Sequence, residues 1–264
     1  MFRMSTVALY LTVACGLVAG VAARAADEDD VADVPSKDVR AGKDEQKRYF
    51  LIGPAKDARE PKDGYGLVVI LPGGDGSADF HPFVKRIFKN ALPEGYLVAQ
   101  PVAVKWADGQ QIVWPTAKGK VEGMKFTTEE FIDAVVEDVA GRHKLDRGRV
   151  FTLSWSSSGP AAYAASLSSK KVTGSLIAMS VFKPDQLPDL AAAKGRGYYL
   201  YHSPDDRVCP YRMAEQAEKA LKAAGAEVKL MTYDGGHGWR GPLYDDIRDG
   251  IKWLEKNHGP AAKP

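Results

Sequence analysis

Cysteine is nearly absent from this 264-residue chain, which has only Cys15 and Cys209. Cys15 lies in an apolar N-terminal stretch, so no disulfide framework holds the fold and packing must do so. Charge of one sign is also lacking. Lys and Arg number 36 against 34 Asp and Glu, and no basic run is interleaved with aromatics, so nucleic acid is not an expected partner. There is no H-E-x-x-H, and His81, His143, His202 and His258 show no mutual spacing of a metal site. Internal repeats and low-complexity tracts are missing, which excludes solenoids and arrays. What remains is an ordinary globular composition, 45% hydrophobic and 27% charged, long enough for one sizeable core.

The N-terminus differs from the rest. Arg3 precedes an apolar stretch from Val7 to Ala23 that ends in Ala23-Arg24-Ala25, the pattern of a secretory signal peptide over residues 1–25. Cleavage there removes two arginines and no acid, leaving basic and acidic residues equal in number. The expected location is secreted or periplasmic, without stable membrane insertion after cleavage. An uncleaved N-terminal membrane anchor is the alternative, because the stretch approaches the ~20 residues that span a bilayer. Cleavage also removes Cys15, leaving Cys209, which reads as a small buried residue beside a turn, with a reactive thiol as the rival reading. Residues 26–47 are rich in Asp, Glu and Lys with almost no large apolar side chain, and are expected to form a solvated, poorly ordered leader. The folded domain is placed at 48–258 and a tail at 259–264.

From Arg48 onward short apolar runs alternate with longer amphipathic ones, the signature of α/β architecture. Strands are expected at Tyr49–Ile52, Leu67–Leu71, Tyr96–Ala99, Val150–Leu153, Ser175–Val181, Tyr198–Tyr201 and Val228–Tyr233. Several are unbroken Val/Ile/Leu runs, which fit strands buried on both faces of a mostly parallel central sheet with helices on both sides. Thr127-Thr128-Glu129-Glu130 has capping-box spacing and opens the clearest helix. Others follow Gly159, Tyr211 and Pro242. Between Val181 and Gly197 the chain is short and holds Pro184 and Pro188, so a minimal cap domain, or none, is expected.

Chemistry is concentrated just after four of the predicted strands, where ligands sit in open α/β sheets. In Leu153-Ser154-Trp155-Ser156-Ser157-Ser158-Gly159 a β-branched run bends through small residues into an alanine-rich helix, with Ser156 at the bend. A nucleophile elbow needs small residues two before and two after its serine. Ser154 and Ser158 meet that need without the usual glycines, although a serine-rich helix cap has the same appearance. Pro72-Gly73-Gly74-Asp75-Gly76 is a glycine-rich loop able to bring backbone N–H groups close to a ligand. No Gly-Lys-Ser/Thr follows it and Rossmann spacing is missing, which argues against nucleotide binding. His202-Ser203-Pro204-Asp205-Asp206-Arg207 is an acidic turn in which Asp206 is the better candidate to orient a histidine, since it precedes the Val208-Cys209-Pro210 segment leading into a helix; a plain turn is the rival reading. Asp234-Gly235-Gly236-His237-Gly238-Trp239 presents a histidine between glycines.

Serine, aspartate and histidine in this chain order, with a glycine loop upstream, resemble the α/β-hydrolase superfamily from Tyr49 to about Leu254. The loop at 72–76 and the segment from Gln100-Pro101-Val102 to Trp114-Pro115 are similar to its phospholipase/carboxylesterase and dienelactone-hydrolase-like groups. The resemblance implies a serine esterase with Ser156 as nucleophile, His237 as base and Asp206 as its orienting acid. Gly74 and Ser157 would supply the oxyanion N–H groups. It implies no cofactor and no metal, and a small-molecule or polymer-linked ester as substrate. Trp114, Trp155 and Trp239 are candidates for holding that substrate, with core packing as the rival role. A prolyl-oligopeptidase-like peptidase and a non-catalytic binding protein on the same fold are the alternatives.

Overall fold

The computed structural model describes residues 29–257. The signal peptide or anchor read over residues 1–25, Cys15 and the tail lie outside them. Eight strands form one sheet: β1 (Ser36–Arg40), β2 (Arg48–Ile52), β3 (Tyr65–Leu71), β4 (Tyr96–Pro101), β5 (Leu145–Trp155), β6 (Gly174–Ala178), β7 (Gly197–His202) and β8 (Glu227–Thr232). Their spatial order is β1-β2-β4-β3-β5-β6-β7-β8. The β1–β2 and β2–β4 pairs are antiparallel, and every later pair is parallel. Five α-helices are added among the described residues: α1 (His81–Ala91), α2 (Thr128–Ala140), α3 (Gly159–Ser168), α4 (Arg212–Ala223) and α5 (Leu243–Asn257). This is the α/β architecture expected from the apolar runs.

Strand β3 shows why helices must cover both faces. All seven of its residues are buried. Leu67, Val69 and Leu71 join a cluster with Phe131, Ile132 and Val135 of α2, Ala161 and Ala165 of α3, and Leu221 of α4. Val68 and Ile70 point the other way, into a cluster with Val84 and Ile87 of α1 and Ile247, Ile251 and Leu254 of α5. Each such side chain contributes roughly 1.5–3 kcal/mol when fully buried. The capping box of α2 closes in both directions: Thr127 accepts the Glu130 N–H and the Glu130 carboxylate accepts the Thr127 N–H.

The expectation of a solvated leader over 26–47 is corrected from residue 29 onward. Val31 and Val34 are buried in the α1 face of the core. Asp30 pairs with Arg86 at 2.9 Å and Asp33 with Lys89 at 2.8 Å. Strand β1 then adds to the sheet edge, where Asp38 meets Arg40 and Arg48. A few small apolar residues, spaced to reach the core, anchor a segment whose average composition is polar. Helix α1 is added to the expected helices, with Val84, Ile87 and Ala91 as its buried face.

Strand order reverses around β3, with β4 on one side and β5 on the other, and the C-terminal ends of strands at such a reversal are where open α/β sheets bind ligands. Between β6 and β7 the described chain holds only two short 3-10 turns, Pro184–Gln186 and Leu190–Ala193, and no cap domain. No helix among the described residues is long and apolar enough to cross a membrane. A cavity of about 630 Å3 lies at the opposite end of the sheet, where Tyr65 and Tyr96 begin their strands.

A half-buried histidine and a buried one tie stability to pH. His81 bonds Gln100 Oε1 and Ser36 Oγ, both at 3.0 Å, and stacks on Phe50, so α1, β4 and β1 meet on a neutral ring. His202, at the end of β7, is buried. Burial pushes both below the ordinary 6.5. Below that value the unfolded chain binds protons that the folded chain refuses, so stability holds above about pH 6.5 and falls with acid. Thermal unfolding should show a lower Tm near pH 5 than at neutral pH, and His81→Gln should shrink the drop. An unchanged Tm across that range would contradict this account.

Candidate active site

Strand β5 delivers Ser156 into a bend that an L-residue adopts only under strain, with φ +57°. The 3-10 turn Ser156–Ser158 follows at once and leads into α3. Ser158, standing where a glycine is usual, has a role of its own. Its hydroxyl accepts the Trp155 N–H at 3.0 Å and lies 2.7 Å from the Leu71 carbonyl, splicing the end of β3 to the bend. Ser154 is fully buried and its Oγ finds no hydrogen-bond partner. The crowding that demands a missing side chain falls one residue later, at Gly159, where a Cβ would lie 1.9 Å from Ser180 Oγ. Ser180 in turn donates to the Ser156 carbonyl at 2.6 Å.

The glycine loop lies against this bend. A Cβ on Gly73 would stand 2.6 Å from the Trp155 carbonyl oxygen, so only glycine allows the approach. Gly74 is exposed with φ +60°, and its carbonyl accepts from Ser157 Oγ at 2.9 Å. Gly74 and Ser157 are thereby held side by side. Trp114 lies behind the loop and is 3% exposed. Its Nε1–H donates to the Pro72 carbonyl at 2.9 Å, so it braces the loop and is not brought to the site's wall.

Asp206 has a wholly buried side chain. Oδ1 accepts the backbone N–H groups of Val208 and Cys209, both at 2.8 Å. Oδ2 is 2.8 Å from His237 Nδ1. Burial raises the carboxyl pKa, but these donors outweigh it and hold the group below the ordinary value. Asp205 is exposed, and its backbone N–H donates to Ser203 Oγ. A carboxylate only accepts, so His237 Nδ1 carries the proton and Nε2 is the acceptor. Ser156 Oγ lies 3.0 Å from that Nε2. Ser156, His237 and Asp206, which are 81 and 31 residues apart at the two contacts, thus form one hydrogen-bonded chain.

Residues not singled out by sequence hold the histidine loop. The hydroxyl of Ser203 accepts the Gly236 N–H at 3.1 Å, and Met179 Sδ accepts the Gly238 N–H at 3.2 Å. His237 is therefore pinned on both sides within a run whose glycines have positive φ. Beneath it, buried His202 Nε2 lies 2.8 Å from the Cys209 carbonyl and 3.3 Å from Asp206 Oδ2.

An aromatic wall flanks the serine. Trp155, 6% exposed, packs edge-on against Phe80, Phe83 and Trp239, with ring centroids 5.7–5.8 Å apart. Trp239 also stacks on Tyr201, and its buried Nε1 has no partner. Phe80 and Phe83 went unnoticed in the sequence because they precede and open α1, the unforeseen helix. Among the described residues, one group of metal-type ligands lies close together, Asp206, Cys209 and His237. Burial pushes the Cys209 thiol up to about 11, so as a free group it is protonated.

A mostly parallel sheet with a strained serine after its fifth strand, an acidic turn after the seventh and a histidine after the eighth is the α/β-hydrolase fold. No protein-family model matches the sequence, and no curated protein does. Solved structures do. Esterase 2 of Thermogutta terrifontis, phosphorylated by paraoxon, is similar at a TM-score of 0.61 and 14% identity, over 86% of this chain and 96% of that one. A protein described as a dienelactone hydrolase of Klebsiella pneumoniae subsp. pneumoniae is similar at 0.63 and 16% identity, over 85% and 98%. Puromycin hydrolase is similar at 0.60 and 14% identity, and this chain matches 38% of its length. At these identities the likeness is one of fold.

Proposed function

We propose that this protein is an exported serine hydrolase that cleaves carboxylic esters through an acyl-enzyme. The observation that carries the reading is the unbroken chain from Ser156 Oγ to His237 Nε2 and from Nδ1 to Asp206, at 3.0 and 2.8 Å, with the serine on a strained strand-to-helix bend. His237 takes the proton as Ser156 attacks the ester carbonyl, and Asp206 stabilises the imidazolium that forms. The N–H groups of Gly74 and Ser157 receive the oxyanion, and the proton returns to the leaving alcohol. Water then attacks the acyl-enzyme by the same route. The wall of Phe80, Phe83, Trp155 and Trp239 supports an apolar or aromatic acyl group. Esterase neighbours that span almost the same length support ester over amide cleavage. Export rests on the apolar stretch before Ala23-Arg24-Ala25.

The test is a series of p-nitrophenyl esters from acetyl to long acyl chains, with the matching anilides alongside. Esters should turn over and anilides should not. Paraoxon should inactivate with time and leave its phosphoryl group on the peptide bearing Ser156. A folded protein that hydrolyses no ester and takes no label would end the proposal.

A further inference from the structure

Cys209 is the side chain beside the Asp206–His237 pair that ester hydrolysis does not use. Its Sγ, an Asp206 carboxylate oxygen and a His237 ring nitrogen lie within 4.8 Å of one another, the first two residues buried and the third partly so. Thiolate, imidazole and carboxylate together are the donor set of zinc and its soft relatives, whereas magnesium and calcium take oxygen. These donors are already oriented. Asp206 is fixed by the N–H groups of Val208 and Cys209, and His237 by a loop pinned at Gly236 and Gly238. Nδ1 and Oδ2 stand 2.8 Å apart, and rotation of the partly exposed His237 side chain supplies the small withdrawal a cation between them needs. Charge favours the same occupant. A carboxylate, a thiolate and a divalent cation sum to zero, which a buried site tolerates far better than a lone ion.

We propose that Asp206, Cys209 and His237 form a binding site for a thiophilic divalent cation of the zinc class, and that its occupancy switches the hydrolase off. On binding, the Cys209 S–H bond breaks, its proton leaves to solvent and a sulfur–metal bond forms. The imidazole proton moves from Nδ1 to Nε2, and the freed Nδ1 lone pair binds the ion. Asp206 Oδ2 exchanges the N–H for the metal. One proton is released per ion and nothing is oxidised or reduced. Nε2 then carries a hydrogen and cannot accept the proton of Ser156, so the base is lost. Inhibition rests on the triad proposed above; binding does not.

Cadmium is the probe, because its bond to a thiolate absorbs in the ultraviolet. It is titrated into the purified wild-type protein, Ser156→Ala and Cys209→Ala, with absorbance and ester hydrolysis read in parallel. Wild type and Ser156→Ala should both show the band at one equivalent, and wild-type hydrolysis should fall and return on chelation. Cys209→Ala keeps its backbone N–H on Asp206, and its inhibition is read against its own cadmium-free rate. It should show no band and should need at least about 100-fold more cadmium for inhibition, beyond what loss of an outer partner costs. No band in wild type, or equal inhibition of Cys209→Ala, would overturn the site. A band without loss of hydrolysis would overturn the switch. If wild type hydrolyses no ester at all, the triad reading fails separately, and the band in Ser156→Ala still decides the site.

Discussion

Replacing Ser156 with alanine should leave a folded protein whose ester turnover drops on the order of 10⁴- to 10⁶-fold, to what binding and the oxyanion N–H groups achieve alone. Only Oγ is removed, and with it one bond to His237. The braces around the bend remain, because Ser158 still joins Leu71 to Trp155 and Ser180 still holds the carbonyl of residue 156. Circular dichroism and Tm should therefore change little while paraoxon labelling vanishes. Wild-type turnover in a Ser156→Ala protein would remove the nucleophile from the mechanism.

Asp206→Asn should cost about 10⁴-fold in kcat with substrate binding nearly intact, because it changes a proton's address rather than a shape. Oδ1 receives two backbone N–H groups and Oδ2 receives a third donor from His237. An asparagine has one oxygen. Spending it on Val208 and Cys209 turns the amide N–H2 toward Nδ1, which must then become the acceptor. The hydrogen moves to Nε2, where it faces Ser156 and blocks proton transfer. A pH–rate profile should show turnover partly recovering in strong base, where hydroxide can do the work of the histidine. Loss confined to KM would refute this role.

Much of the scaffold was legible because burial on both faces leaves a mark in sequence. Strands β3, β4 and β7 are buried along their whole length, and Leu67–Leu71, Tyr96–Ala99 and Tyr198–Tyr201 within them read as unbroken apolar runs. Strand β1 left almost no mark, since at the sheet edge only Val39 among its residues is buried. The first half of β5, Leu145 to Arg149, was lost for the same reason. Helix α1 differs, because Val84, Ile87 and Ala91 do carry helical apolar spacing in the sequence. At the site, Ser156, Asp206 and His237 stand in turns after strands, and chain order alone could suggest their meeting. The supports around them could not be read this way. Met179 and Ser203 act by meeting N–H groups from a loop more than thirty residues away, and nothing local in the sequence marks a thioether as an acceptor. Gly159 carries the packing restriction that the serine at 158 escapes, a shift visible only once Ser180 is placed against it.

The edge strand β1 also governs how the domain can be cut. Hydropathy alone would start a minimal domain at Arg48, yet β1 occupies the outer hydrogen-bonding row of β2, pairing from Ser36↔Ile52 to Arg40↔Arg48. A chain begun at Arg48 would bare that row beside buried Tyr49 and Leu51, offering another molecule a strand-shaped vacancy. Such a fragment would associate edge to edge. Strand β1 replaces that apolar edge with a short one whose Lys37, Asp38 and Arg40 put charge on the rim of the sheet.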